Sequence, residues 1–433
     1  MVSIGGILGR PLACLSQPHS NYSRFAPVPL TSWCQSCCCR ARAIQWIANV
    51  DSQYRGPGVY GCTSALLGEA TLDNGIRTEQ VTDCLFCNKP GMLLYSGLSD
   101  RLFGAAGQWG FLQCTGCGLV WLNPRPTSAD LSKAYRTYYT HAGSANGNGN
   151  RSLVASLRKR SKGGLYAFVS GCNELADGWV WGQVGRILSW VPLLKERAVM
   201  GTMCLNRSNG GKLLDLGCGD GRFLALMRAA GWDVMGVEPD PAAARAVQQE
   251  FGISVTTLED ARVLDESFDA ITLSHVIEHV HDPVALLSEC RRLLKPEGKA
   301  VIVTPNIGSL GHQKFGSSWR GLEPPRHLHI FSLRTLRVCC EKAGMHVQVL
   351  RTSARSAGLI WKESETIRRH NEPSSLDRRL PARLREMVFN LHEGAVCRTS
   401  EEAGEEIVLI ARAGRPSFRS KATTAMPDAL PSR

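Results

Sequence analysis

Short apolar runs and amphipathic stretches alternate along the second half of the chain, between Lys212 and Ala413. The apolar runs predict seven strands, at 213–216, 234–237, 254–257, 270–273, 300–304, 347–350 and 407–411. In the stretches between them, apolar residues recur every three or four positions, which predicts helices at 223–230, 242–251, 284–294 and 333–343. This alternation is typical of an α/β fold in which helices cover both faces of a Rossmann-like, seven-stranded sheet.

The segments outside this pattern divide the rest of the chain. Leu and Val have helical spacing within 151–208, and a run rich in Gly and Asn at 143–150 predicts a flexible joint before them. The predicted units are a disordered extension at 1–78, a cysteine-bearing module at 79–142, a linker and helical segment at 143–208, the α/β core at 209–355, a charged helical insertion at 356–404, the last strand at 405–414 and a disordered basic tail at 415–433.

Charge and cysteine usage bear on partners and compartment. The formal net charge is +12, but Lys and Arg are spread along the chain, which favours a solvated basic surface over a nucleic-acid groove. No apolar run is long enough to cross a bilayer, and 179–194 is interpreted as an amphipathic or buried helix. Seventeen cysteines in a chain of 433 residues, four of them in two short pairs, favour a reducing compartment, which we take to be the cytoplasm.

The first 50 residues contain no Asp or Glu. Three explanations stay open for them: an organellar transit peptide, a disordered extension, and a start codon placed too early. The cluster Cys34, Cys37, Cys38 and Cys39 lies in this region without a second pair that would complete a metal site. No role is assigned to that cluster.

A glycine-rich turn follows the first predicted strand and contains Gly217, Gly219 and Gly221. Such a turn lets backbone amides approach a ligand closely. A dinucleotide-binding turn would place its third glycine where this chain has Arg222. The alternative is a turn that only packs a helix on a strand, which assigns no role to the nearby carboxylates.

Two carboxylates flank this turn. Asp215 lies just before it, where it can bind an ammonium group, and Glu238 ends the next strand, at the distance from which a carboxylate reaches ribose hydroxyls. One carboxylate for a ribose and one for an amino group suit S-adenosylmethionine better than a nicotinamide cofactor.

Residues 212–352 resemble class I S-adenosylmethionine-dependent methyltransferases. The resemblance is to the small-molecule branch, which includes the ubiquinone-pathway O-methyltransferases. The similar segments begin at Leu214, Gly236, Ser267, Arg292 and Val303. The resemblance implies in-line methyl transfer. It also implies that the turn glycines, Asp215 and Glu238 contact the cofactor, together with further residues. These further residues are Cys218 and Pro239, then Leu258 and Glu259, which would flank the adenine, and Ser274, which together with His275 would edge the methionine moiety.

Three histidines are candidates for a general base, if the acceptor is a hydroxyl. His275 and His279 follow the fourth strand, and His327 lies on a loop expected above the same edge of the sheet. Each could equally be a structural, hydrogen-bonded histidine. In the ubiquinone-pathway enzymes this segment is richer in carboxylates and holds a divalent ion; His275 replaces the first carboxylate here, whereas Glu278 and His279 match.

Two C-x-x-C pairs predict a zinc ribbon in front of the core. Cys84, Cys87, Cys114 and Cys117 supply four thiolates, which leave zinc no open position, so the metal is structural. Four reduced core cysteines are the alternative. The module also resembles the N-terminal part of bacterial methyltransferases found with sugar, cell-surface or natural-product pathways, which makes Tyr135 a candidate wall of the acceptor pocket.

The predicted function is S-adenosylmethionine-dependent methyl transfer to a small-molecule or saccharide-linked acceptor, with O-methylation favoured. A ribosomal RNA base methyltransferase is one alternative, against which stand the lack of an Asn-Pro-Pro-Tyr motif and of a concentrated basic face. A degenerate, non-enzymatic binding module is the other, against which stand the intact glycine turn and Glu238. Oligomeric state stays open.

Overall fold

The computed structural model describes residues 70–71, 75–135, 153–206, 210–261, 265–371, 381–397 and 399–414. The cysteine cluster at 34–39, the Gly/Asn run at 143–150 and the basic tail at 415–433 lie outside these residues. Within the described part of the chain, no helix is long and apolar enough to cross a membrane, and the helix in 179–194 is therefore not a span.

The first part of the described chain forms two small antiparallel sheets. One sheet consists of β1 (Ala70–Thr71), β2 (Arg77–Glu79) and β6 (Arg125–Pro126). The other consists of β3 (Gly91–Leu98), β4 (Trp109–Cys114), β5 (Val120–Leu122) and, from far along the chain, β12 (His329–Ile330). Since β1 pairs with β2, regular structure begins inside the segment 1–78 that the sequence assigned to a disordered extension.

Three helices follow: α1 (Leu153–Ser170), α2 (Trp179–Leu188) and α3 (Pro192–Gly201). The backbones of α1 and α2 touch where Gly164 meets Gly185, and a Cβ on Gly164 would lie 1.9 Å from the carbonyl oxygen of Trp181. Only glycine permits this crossing. The end of α3 packs on the large sheet through the buried side chain of Met200.

The large sheet has seven strands: β7 (Lys212–Leu216), β8 (Asp233–Val237), β9 (Val255–Thr256), β10 (Phe268–Ser274), β11 (Leu294–Pro305), β13 (His346–Ser353) and β14 (Glu406–Arg412). Their order is β13-β14-β11-β10-β7-β8-β9. β14 runs antiparallel to both neighbours, and the pairs from β11 to β9 are parallel. The predicted seven-stranded α/β fold is confirmed, and its central strands are mostly apolar because helices cover both faces.

The helices of this domain are α4 (Arg222–Ala229), α5 (Pro241–Phe251), α6 (Leu258–Ala261), α7 (Pro283–Leu293), α8 (Leu310–Phe315), α9 (Leu333–Lys342), α10 (Ala357–Asn371) and α11 (Ala382–Val396). Asp240 and Asp282 cap α5 and α7 with their side chains, and a proline opens each helix, which fixes where both begin. α8 has no counterpart among the predicted helices. α10 and α11 lie within the predicted charged insertion.

Candidate active site

The glycine turn joins β7 to α4 at the carboxyl edge of the sheet. Gly217 and Gly221 have φ of 71° and 72°, in the left-handed region that glycine adopts without strain. Space is a second constraint, because a Cβ on Gly217 would lie 2.8 Å from a methyl of Val276 and one on Gly221 would lie 2.6 Å from a methyl of Val247. The turn is therefore packed closely on its inner side.

Glu238 binds this turn directly. Its Oε2 accepts a hydrogen bond from the amide of Gly219 at 2.9 Å, and its Oε1 accepts one from the amide of Asp240 at 3.1 Å. Because β7 and β8 are parallel neighbours, Glu238 leaves the same edge of the sheet as the turn. Two amides thus fix the position of the carboxylate that the sequence assigned to ribose binding.

Asp215 lies beneath the turn and is buried. Its Oδ1 accepts a hydrogen bond of 2.6 Å from the hydroxyl of Thr272 on β10. Burial and the nearby charge of Glu238 raise the pKa of Asp215 to about 7, although the Thr272 bond opposes the shift. A bound cation beside this carboxyl group would favour its ionised form.

The remaining predicted cofactor residues border the same edge of the sheet. Cys218 is buried under the turn, and a Cβ on Gly236 would lie 2.6 Å from its Sγ. Pro239 and Ser274 are half-buried at the ends of β8 and β10. Leu258 is fully buried at the start of α6, and the side chain of Glu259 lies outside the described part of the chain.

His275 is held between two carboxylates. Its Nδ1 lies 3.2 Å from Glu278 and its Nε2 lies 3.1 Å from Glu406 at the start of β14. Partial burial opposes protonation, but these two carboxylates outweigh it and raise the pKa of His275 well above its ordinary value. A protonated imidazole with both nitrogens engaged is poorly suited to accept a proton.

His279 has a different environment. Its Nδ1 lies 3.0 Å from the carbonyl oxygen of Arg326 and 2.9 Å from the hydroxyl of Tyr135. A carbonyl oxygen only accepts, so Nδ1 carries the hydrogen and Nε2 of the neutral ring carries the lone pair. This is the tautomer that a base acting through Nε2 requires.

The ring of His327 packs against that of His279, with their centroids 4.7 Å apart. Its Nδ1 donates to the carbonyl oxygen of Gly321 at 2.7 Å. Burial lowers the pKa of His327 to about 4, although the charge of Glu323 opposes the shift. One ligand-bearing atom from each of Glu278, His279 and His327 lies within 4.8 Å of the others, so the three could also hold a cation.

The loop that carries His327 is fixed by a buried cation, which the sequence did not single out. Arg326 is fully buried, and its guanidinium group lies over the ring of Phe103. It donates hydrogen bonds to Asp100 at 2.7 Å, to Glu323 at 2.9 Å and to the carbonyl oxygen of Ala134 at 2.8 Å. These contacts join the N-terminal module to the loop. The one signal in the sequence that could have drawn attention to Arg326 is its position between Pro325 and His327.

Three buried glutamates lie at the same edge, where β14 begins. The amide of Glu405 donates to Glu393 of α11 at 2.8 Å, and the indole of Trp319 donates to Glu405 at 2.8 Å. Burial and the nearby charge of Glu405 raise the pKa of Glu393 to about 9. Burial also raises the pKa of Glu405 to about 7, with the charge of Glu406 adding to the shift and the hydrogen bond from Trp319 opposing it. The charged insertion is thereby tied to the sheet next to Glu406, the partner of His275.

The four predicted metal ligands come together. Cys84 and Cys117 have their Sγ atoms 3.4 Å apart, as do Cys87 and Cys114, and one sulfur from each of the four lies within 4.8 Å of the others. A tetrahedral zinc site, with Zn–S bonds of about 2.3 Å, places its sulfurs about 3.8 Å apart. The amides of Gly116 and Cys117 lie 3.3 and 3.4 Å from the Sγ of Cys114 and point at it.

Two other histidines near this region are structural. His281 lies 2.9 Å from the carbonyl oxygen of Pro126, and His329 pairs with Trp121 in the ribbon sheet. Burial lowers the pKa of both imidazoles. Trp121 is itself buried, with its indole N–H donating to the carbonyl oxygen of Val81, so it belongs to the ribbon core.

Residues 193–349 match the family described as Methyltransferase domain. Among curated proteins, the chain is similar to ubiquinone biosynthesis O-methyltransferases, with 36% identity to that of Cereibacter sphaeroides over 28% of this chain and 53% of the relative. It is 38% identical to that of Actinobacillus pleuropneumoniae over 22% of this chain and 47% of the relative. The chain thus spans about half the length of the curated relatives it matches.

Solved structures with a related fold include an S-adenosylmethionine-dependent methyltransferase from Archaeoglobus fulgidus, at 20% identity and a TM-score of 0.33 over 52% of this chain and 93% of that one. Another is the S-adenosylmethionine-dependent methyltransferase from Mesorhizobium loti, at 14% identity and a TM-score of 0.34 over 50% of this chain and 97% of that one.

Proposed function

We propose that this chain, whose residues 193–349 are a class I methyltransferase domain, transfers a methyl group from S-adenosylmethionine to an oxygen of a small-molecule or saccharide-linked acceptor. The observation that carries the proposal is the bond between the amide of Gly219 and the carboxylate of Glu238, which joins the glycine turn to the acidic end of the next strand. The names of the curated relatives support an oxygen acceptor.

The residues at the sheet edge fit this cofactor. A Cβ on Gly219 would meet no atom within 4 Å, so the outer side of the turn is open to a ligand while its inner side is packed. Glu238 ends β8 beside the turn, where it would accept hydrogen bonds from ribose hydroxyls, and an ammonium group beside buried Asp215 would favour the ionised form of that carboxyl group. When bound, S-adenosylmethionine supplies an electrophilic methyl group, so the protein needs mainly to position the acceptor.

His279 is the base that we propose for the acceptor hydroxyl. Arg326 and Tyr135 orient its ring and leave Nε2 with the lone pair, so this nitrogen can take the proton that the hydroxyl releases. His327 packs against the ring and excludes water from one side. His275, being protonated between two carboxylates, serves to hold the strand ends together and contributes positive charge to the site.

A second role is favoured by the arrangement of Glu278, His279 and His327. Both histidines donate from Nδ1 to a backbone carbonyl, which is how proteins orient imidazole ligands of metals. A divalent cation there would be a Lewis acid for the acceptor oxygen. The test measures methyl transfer after treatment with a chelator that leaves the zinc in place. If methyl transfer is lost and returns when Mg²⁺ or Mn²⁺ is added, the cation role is correct. If methyl transfer is unchanged, His279 remains the proposed base.

We further propose structural zinc at the four cysteines and residence in a reducing compartment such as the cytoplasm. None of the eleven cysteines within the described residues forms a disulfide, which suits such a compartment. An RNA base as the acceptor is disfavoured because the basic residues are dispersed. A binding-only role is disfavoured because the turn, Glu238 and Asp215 keep the chemistry of a cofactor site.

Cofactor binding is tested by calorimetric titration of the full chain with S-adenosylmethionine. Glu238→Ala removes two charge-assisted contacts, so we expect about a hundredfold weaker binding with little change in thermal stability. Asp220→Ala is the matched control, because Asp220 lies in the same turn but is largely exposed and pairs with Arg222. Equal affinity of parent and Glu238→Ala would refute the site, and no binding by the parent would favour the binding-module alternative.

Zinc is tested by elemental analysis of protein purified without chelator. Cys84→Ser should reduce zinc from one equivalent per chain to a small fraction and lower the melting temperature, because the tetrahedral site loses a ligand. Cys397→Ser, at a partly buried cysteine far along the chain, should retain the metal. A parent without zinc that is as stable as the Cys84→Ser protein would show that the cysteines form an ordinary reduced core.

A further inference from the structure

One face of α2 is apolar although it points into solvent. The helix exposes Trp179, Val180 and Ile187, and the turn just beyond its end exposes Trp190 and Val191. Of the Trp179 and Trp190 side chains, 78% and 81% are accessible to solvent. A surface helix ordinarily presents polar residues outward and apolar residues to the core. Here the pattern is reversed.

These residues form one continuous surface. At 100° per residue, the helical positions 179, 180, 183, 186 and 187 fall within a sector of about 120°, and the chain then turns through Trp190 to Val191, whose backbone is extended. Gln183 and Arg186 are the polar members of this sector. The opposite side of α2 packs against α1 through Gly185, so the helix is held rigidly with its apolar face outward.

Basic residues predominate in the helical segment that carries this face. Residues 153–201 contain seven Lys or Arg and three Asp or Glu. The acidic residues are largely compensated, since Asp177 pairs with Arg160 and Glu196 pairs with Arg351. Arg158, Lys159 and Lys162 on α1 and Lys195 and Arg197 on α3 are exposed.

We propose that this face, defined by Trp179, Val180, Ile187, Trp190 and Val191, binds the surface of a membrane that contains anionic phospholipid. Tryptophan is enriched at the level of lipid headgroups, where its ring is partly buried and its N–H stays hydrated. An apolar helical face flanked by Lys and Arg binds through buried apolar area and through attraction to negative lipids. The helix lies in the membrane plane; it does not span the membrane.

The choice of a lipid surface over a protein partner rests on charge. An apolar interface between two copies of the chain would bring two predominantly basic segments together, and like charges oppose such a contact. A negatively charged lipid surface complements the positive charge of this segment. This face precedes residues 193–349, so the proposal is independent of the proposed methyl transfer.

The test is co-sedimentation of the full chain with vesicles of phosphatidylcholine, with and without phosphatidylglycerol. The parent should bind the anionic vesicles more tightly, and added salt should weaken the binding. The double variant Trp179→Ala/Trp190→Ala should lower the partition coefficient at least about a hundredfold, because two large apolar side chains no longer enter the membrane.

The matched control is Met92→Ala/Leu93→Ala, which removes two exposed apolar side chains from the ribbon and should leave vesicle binding unchanged. Arg186→Gln should weaken binding to anionic vesicles only. Absence of binding by the parent, or equal loss in the control, would overturn the proposal. So would self-association of the parent that disappears in the tryptophan variant without any vesicle binding, since the face would then join two copies of this chain.

Discussion

The proposed cofactor side and the proposed acceptor side of the site are assembled in different ways. The cofactor side is nearly contiguous in sequence, since the bond between Gly219 and Glu238 spans 19 residues. The acceptor side gathers distant segments, since the bond between Arg326 and Asp100 spans 226 residues. The first is formed by one strand-turn-helix unit and its neighbour, whereas the second requires the N-terminal module to be docked.

Because the two sides are assembled differently, cofactor binding and methyl transfer should be separable by mutation. A damaged docking contact should impair acceptor chemistry while the glycine turn remains, because the turn is held by packing against Val276 and Val247 within its own domain. Variants that divide cofactor binding from methyl transfer therefore test the comparison directly.

The largest effect is expected for Arg326→Met. The substitution leaves Asp100 and Glu323 as buried carboxylates without their cation, which costs about 3–5 kcal/mol of unfolding free energy. Denaturant unfolding measures the loss, and titration at low temperature should find cofactor affinity nearly unchanged while transfer of labelled methyl to a metabolite extract is abolished. Arg337→Met is the control at an exposed arginine of α9, with an expected change within about 0.5 kcal/mol. A parallel loss of cofactor binding would contradict the separation of the two sides.

The next effect concerns Asp215 and pH. Burial raises its pKa to about 7 in the protein without cofactor, and an ammonium group binds the ionised form. Affinity for S-adenosylmethionine should therefore be constant above pH 7 and fall about tenfold per unit below it, because a proton must first leave the carboxyl group. Calorimetry across this range gives the profile, and Asp215→Asn should flatten it at low affinity. A flat profile for the parent would show that Asp215 does not meet the cofactor.

The smallest effect is expected for Tyr135→Phe. The hydroxyl is one of two groups at Nδ1 of His279, and the carbonyl oxygen of Arg326 still holds the ring, so methyl transfer should fall by less than about tenfold. Cofactor affinity should not change. Tyr95→Phe is a matched control, because Tyr95 makes the same 2.9 Å contact with a different histidine, His312. Equal losses in both variants would assign Tyr135 a purely structural role.

The same contrast explains what could be predicted from the sequence. The strands, the glycine turn, Glu238 and the four cysteines are encoded by local spacing, and the order of the parallel strands brings the turn and Glu238 to one edge of the large sheet. α8 was missed because it has six residues and only two apolar side chains, Leu310 and Phe315, which give no helical period. The beginning of β1 was missed because two residues become a strand only by pairing with β2.

The distinct environments of the histidines could not be predicted either. His275 and His279 are four residues apart, yet one is bound by Glu406 and the other by Arg326 and Tyr135, all from other parts of the chain. A spacing rule sees two equivalent candidates. Only the folded chain separates a protonated, paired imidazole from one with an available lone pair.

The strand β12 has a consequence for how the protein is made. Trp121 and Val120 pair with residues that are synthesised roughly 200 positions later, and ribosomes add about 5–20 residues per second. The edge of β5 is therefore left open for about 10–40 s on the ribosome, when it could pair with another chain. Early capture of zinc would hold the ribbon in shape through this interval, so a cell short of the metal should lose the protein during its synthesis, before any loss of activity in the finished molecule.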